Sequence, residues 1–163
     1  MANTDIPNGF KVEHNQYGQA AVVHFPMAAS KTITKGDAVI LASGLATIGV
    51  ATSPQLLGIA AESKTTTATV TRTGDTLAVV VALPGIVFSG QCSGDSAANL
   101  VGTACDIEGA TGVMEVNENA TTEDVIQIVG LSSDKSNDLT LGTNDRVEFI
   151  ILRSAYNPVL ADK

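Results

Sequence analysis

Tryptophan is absent from this 163-residue chain, aromatic residues make up 4% of it, and 16% of its residues are charged. So few rings leave no stacking platform for single-stranded nucleic acid, and a sugar-stacking platform is as poorly supplied. Acidic residues outnumber basic ones 17 to 9, for a net charge of −8. The basic residues, from Lys11 to Lys163, are scattered and form no patch, which argues against a nucleic-acid partner held through phosphates. The most apolar stretch, residues 76–90, is broken by Pro84 and Gly85. It is too short to span a bilayer, so no membrane partner is expected. The opening "MANTDIPNGF" lacks a basic segment followed by an apolar one, so no signal peptide is expected.

Catalytic vocabulary is equally thin. The chain has no Gly-x-Ser-x-Gly elbow, no P-loop, no Gly-x-Gly-x-x-Gly and no His-Glu-x-x-His, each of which carries a defined chemistry. His14 and His24 have no cysteine nearby and read as packing or surface residues. Cys92 and Cys105 lack the near-neighbour spacing of a zinc or redox motif. They read as small buried apolar side chains, and whether they pair stays open. Glu115 with Glu118, and Glu123 with Asp124, read as solvated loop carboxylates. "DKSNDLTLGTND", residues 134–145, spaces Asp134, Ser136, Asp138 and Asp145 like a calcium loop. That loop needs glycine sixth and glutamate twelfth, and here Leu139 and Asp145 stand there. The expectation is therefore no enzyme, no catalytic residue, no cofactor and no metal.

What is present is β structure. Hydrophobic residues make up 44%, and a chain of this length buries roughly two thirds of its unfolded surface. Short runs rich in Val, Ile and Thr alternate with turn residues at close spacing, the pattern of an all-β sandwich or barrel. Asp37–Ala42 and Leu45–Ala51 flank Ser43-Gly44, a hairpin signal. Gly74-Asp75 marks a second hairpin within residues 65–83, and Gly-Ala-Thr-Gly at 109–112 a tight connection between Cys105–Glu108 and Val113–Val116. Further strands are expected at 20–25, 57–62, 86–89, 125–131 and 146–153. Residues 93–102 suit one or two helical turns stopped at Gly102, and 121–124 a loop.

The chain divides into an extended N-terminal arm over 1–30, a single β domain over 31–153 built of short antiparallel strands, and a C-terminal tail over 154–163. The arm holds Phe10, Tyr17 and Phe25. They are large apolar groups in a segment too irregular for its own core, and are read as partner contacts. An internal echo links "GDAVILASGLATIGV" plus "LLGIAAES" to "GTACDIEGATGVMEV" plus "IVGLSSD". It implies two similar three-strand units, with Gly58 matched to Gly130.

"MANTDIPNGFKVEHNQYGQ", "ITKGDAVILASG" and Gly58-Ile59-Ala60 together resemble the small head decoration, or capsid cement, proteins of tailed bacteriophages. The likeness covers about the first 60 residues in words and the rest in texture. It implies a structural virion protein, made in the host cytoplasm. Such a protein binds the outside of the capsid and bridges subunits of the major capsid protein, its partner, as a homo-oligomer, commonly a trimer. A phage tail or fibre structural protein and a carbohydrate-binding β-sandwich are the alternatives.

Overall fold

The computed structural model describes residues 3–16, 18–70, 74–95, 98–133 and 142–156. Its strands are β1 (Lys11–Asn15), β2 (Val22–Pro26), β3 (Thr32–Ile33), β4 (Ala38–Ala42), β5 (Leu45–Ile48), β6 (Gly58–Ala60), β7 (Lys64–Thr65), β8 (Thr76–Val81), β9 (Ile86–Gln91), β10 (Ala104–Glu108), β11 (Glu115–Asn117), β12 (Ile126–Leu131) and β13 (Arg146–Ile151). One 3-10 turn, Ala98–Leu100, lies inside the expected helical stretch. Two antiparallel sheets make a sandwich. One has the order β1-β9-β13-β12-β10-β11, the other β2-β8-β6-β4-β5, and β3 pairs with β7 in a small ribbon. The all-β expectation holds.

The echo in the sequence proves larger than three strands. β2-β8-β6-β4-β5 and β9-β13-β12-β10-β11 have the same order once each set is numbered along the chain: first, fifth, fourth, second, third. Hydrogen bonds match as well. Met27 N–H donates to Asp75 C=O at 2.8 Å and Cys92 N–H to Asp145 C=O at 2.8 Å. Gly36 N–H donates to Ala60 C=O, and Gly102 N–H to Ile128 C=O. In both units the first strand runs on to meet the third in parallel, through Met27 beside Ala46 and Cys92 beside Val116. Each sheet is thereby curled into a small barrel. The register places Val39 opposite Gly58 and Cys105 opposite Ile126. Gly58 therefore corresponds to Ile126, which corrects the match to Gly130.

Alternation along the strands sorts the side chains into two cores. Met27, Val39, Ala46, Leu57, Ala60, Leu77 and Val79 fill the first barrel, with Ile33 of β3 closing it. Phe88, Cys92, Cys105, Ile107, Val116, Ile128, Val147 and Phe149 fill the second. Ala38, Ile59 and Val80, on the outer wall of the first barrel, belong to that second core too, so the barrels share apolar surface. Asp37 fastens the joint. Its buried carboxylate accepts the N–H of Thr34 at 2.8 Å and of Gly112 at 2.7 Å, and the hydroxyl of Thr111.

That docking explains one correction. Glu108 pairs with Glu115, so the connection spans 109–114 and is longer than Gly-Ala-Thr-Gly, because its middle is anchored on Asp37. A second concerns Gly74-Asp75. β8 pairs with β2 and β6, and residues 66–70 form no strand. Their polar groups are used elsewhere: Thr66 N–H donates to Lys31 C=O, and Thr66 Oγ1 to Ala28 C=O. The Ser43-Gly44 hairpin is as expected. Ala42 pairs with Leu45, and both turn residues have positive φ, 51° and 79°, the type I′ geometry that suits strand twist.

Residues 3–16 and 18–30 contribute a strand to each of the two large sheets. β1, which no periodicity announced, pairs with β9, and β2 with β8. Beyond the 31–153 segment, Ala155 N–H donates to Leu56 C=O. Residues 157–163 of the tail lie outside the described residues.

Candidate functional site: an apolar groove and an arm seat

The turn after β8 and the end of β13 border a cavity of about 550 Å³. Pro54, Leu83, Pro84, Ile86, Ile150 and Leu152 supply much of its wall, and Arg153, Gln55 and Ser154 bring polar groups to it. Local chemistry explains its position. Pro84-Gly85 breaks the chain between the barrels, with Gly85 at a φ of 86°. Ser53-Pro54 turns the other wall, where Ser53 Oγ accepts Val50 N–H at 2.9 Å. Leu56 N–H then donates to Arg153 C=O at 2.9 Å, holding the walls together. Leu152 is exposed, as are Val129 and Leu131 on β12. The sequence marked these residues only as turns and strand ends.

Of the three aromatic residues read as partner contacts, Phe10 and Phe25 pack against different cores. Phe10 is 3% exposed and packs edge-on against Phe149, with ring centroids 5.1 Å apart. Its seat is made by Gly90, where a Cβ would stand 2.5 Å from the ring. The register puts Phe25 opposite Leu77 and Gly90 opposite Val147, equivalent positions of the two barrels. Phe10 therefore fills, from the arm, the volume that Phe25 fills from within its own barrel. Phe25 is half-buried beside the first core and meets Tyr156 edge-on at 6.2 Å. Tyr17 lies outside the described residues.

Residues 3–10 form a strap across the second barrel. Asn3 N–H donates to Thr143 C=O at 3.2 Å, and Asn3 Nδ2 to the Asp145 carboxylate. Gln91 Nε2 donates to Asp5 Oδ1 at 3.3 Å, Arg146 Nη1 to Asn8 Oδ1 at 3.1 Å, and Phe10 N–H to Gly36 C=O at 2.8 Å. Asp145 is thus buried under the strap, and it also accepts Gly142 N–H. Asp134, Ser136 and Asp138 of the calcium-like stretch lie outside the described residues. Among those described, no group of three or more His, Cys, Asp or Glu is placed to hold a metal ion.

The remaining titratable groups are separated. His14 is 66% exposed, with Nε2 3.5 Å from Glu148 Oε1, and His24 lies on the other sheet. Cys92 and Cys105 are buried free thiols. Burial foremost, then the Asp106 carboxylate, pushes Cys105 up to about 12. Burial and then Glu118 push Cys92 up as well. Glu115 and Glu118, expected to be solvated, are held above the ordinary carboxyl range. Burial acts first on both; Asp5, Glu108 and Glu118 add to it on Glu115, while on Glu118 backbone hydrogen bonds from Glu118 and Gly94 oppose it and Glu108 and Asp95 add to it. Comparison of the chain with protein families, with characterised proteins and with solved structures returns no match.

Proposed function

We propose that the protein is a structural component of a tailed-phage head, bound to the outside of the capsid and stabilising it by bridging major capsid subunits, as a homotrimer. The observation that carries this reading is the apolar groove with exposed Leu152 at its rim. Apolar surface left open on a rigid β scaffold is suited to broad contact with another protein. A standard contact of that kind covers about 800 Å² per partner. The resemblance of the first 60 residues to capsid cement proteins supplies the partner. A subunit that binds only the assembled shell stabilises that state by mass action.

The test compares heads with and without the protein during heating. DNA release at a higher temperature with the protein present supports the reading, and release at the same temperature overturns it. Immunogold label on the tail instead of the head favours a tail or fibre component. Replacing Leu152 with Glu is expected to lower occupancy on heads at least about tenfold, as burial of an unpaired charge does at an interface. Densitometry of purified particles reads it.

A further inference from the structure

β9 departs from β2, its counterpart in the first barrel, at both of its ends. β2 and β8 stay paired from Pro26 opposite Thr76 to Val22 opposite Val80, and Val81 N–H still donates to Ala21 C=O at 3.1 Å. In the second barrel the ladder runs from Gln91 opposite Arg146 and stops at Phe88 opposite Phe149, although the strands extend to Ile86 and Ile151. The two lost pairs are Val87 with Ile150 and Ile86 with Ile151. Ile86 N–H turns instead to Leu83 C=O at 3.3 Å. The apolar groove lies where those pairs are missing, with Ile86, Ile150 and Ile151 in its wall, and Arg153 brings an exposed cation to it.

At the opposite end Gln91 stands where β2 has Pro26. Its side-chain amide grips the strap as proline could not: Oε1 accepts Ile6 N–H at 3.3 Å, and Nε2 donates to Asp5 Oδ1 at 3.3 Å. Ile6 is held there 62% exposed, more than any other large apolar side chain among the described residues. The Asp5 carboxylate is its chain neighbour. So one end of β9 carries an apolar knob next to an anion, and the other an apolar groove next to a cation, about 17 Å apart along a six-residue strand. We infer that Ile6 of one subunit seats in the groove of the next, with Asp5 facing Arg153, and that this joint builds the oligomer. Knob and groove at different places on one surface make a heterologous contact, which forms a ring where the rotation closes. The opposed charges fix which end meets which. The inference rests on the homotrimer of the proposed reading and names its joint, leaving the rim at Leu152 to the shell.

Cross-linking of the purified full chain, without heads, tests the joint. Ile6→Cys and Leu152→Cys change exposed positions, and the buried thiols of Cys92 and Cys105 do not compete. The two variants are co-expressed and oxidised. A covalent pair is expected at least about fivefold in excess of that from either variant alone, since only a heterologous contact brings the two positions together. Equal yields from a single variant overturn the inference, as does no pair from the mixture. With both changes in one chain, covalent species are expected up to the trimer, and a ladder running beyond it overturns the closed ring. Asp5→Arg and Arg153→Asp are each expected to lower the trimer fraction in sedimentation at least about threefold, and the two together to restore it. No restoration overturns the charge pairing. Heads stabilised by a protein that gives no cross-link would sink the joint alone. A cross-linked trimer that leaves head melting unchanged would sink the capsid reading and leave the joint standing.

Discussion

Phe10 and Gly90 form one packing unit from two distant points of the chain. Truncating Phe10 to Ala empties the seat and is expected to cost about 3–5 kcal/mol, read by urea unfolding. Adding a side chain in Phe10→Ala/Gly90→Phe mimics the Phe25 arrangement and is expected to recover part of that loss. No recovery would mean that the two seats are not equivalent. The sequence marked Phe10 as a large apolar group needing cover. It could not name the cover, because a glycine seat leaves no local signal. The thiols give a second residue-scale expectation. Cys105 is raised from 9.0 to about 12. Its contribution to stability is complete below about 9 and is lost as pH rises toward 12, since the unfolded thiol ionises first. Replacing Cys105 by Val should reduce the alkaline loss of stability between those pH values. At pH 8 the native protein should react with a thiol reagent far more slowly than the unfolded one, as buried, undissociated thiols do.

Hairpins and loops show which elements are written locally. Ser43 carries a φ of 51° without the advantage of Asn or Gly. Ser43→Asn is expected to stabilise the protein by about 0.5 kcal/mol, and Gly44→Ala to destabilise it by about 1 kcal/mol. Thermal unfolding separates the two signs. Asp37 works between elements. Asp37→Ala strands the N–H groups of Thr34 and Gly112, and is expected to cost about 3 kcal/mol. The β4–β5 hairpin was legible because strand and turn chemistry are adjacent in the chain. The pairing of β8 was not. Gly74-Asp75 has turn chemistry, yet the register of β8 is chosen by Val79 and Val80 seeking two different cores, a decision made far from the turn. β1 was hidden for a related reason. It is a mostly exposed strand that borrows its order from β9 and from Phe10 beside it. Glu118 was misread as solvated because its burial comes from Gly94 and the barrel end, which no sequence neighbour reveals.

At the scale of the molecule the two barrels are coupled through Ala38, Ile59 and Val80, and through the Asp37 clasp. Chains cut at Pro84-Gly85 are therefore expected to be poorly folded as separate halves and to fold when mixed. Circular dichroism of each half and of the mixture reads this, and two independently native halves would sink it. The matching strand order has a further meaning. The chain carries, in effect, an alignment of two sequences for one barrel, so each position in one half reports what the same backbone tolerates in the other. Met27 and Val39 stand where the second half has Cys92 and Cys105. Pro26 answers to Gln91, and Leu77 to Val147. Divergence between the halves then becomes a map of labour. Where the copies agree the barrel demands it, and where they differ, as at Phe25 and Gly90, one copy has been reshaped to receive the arm.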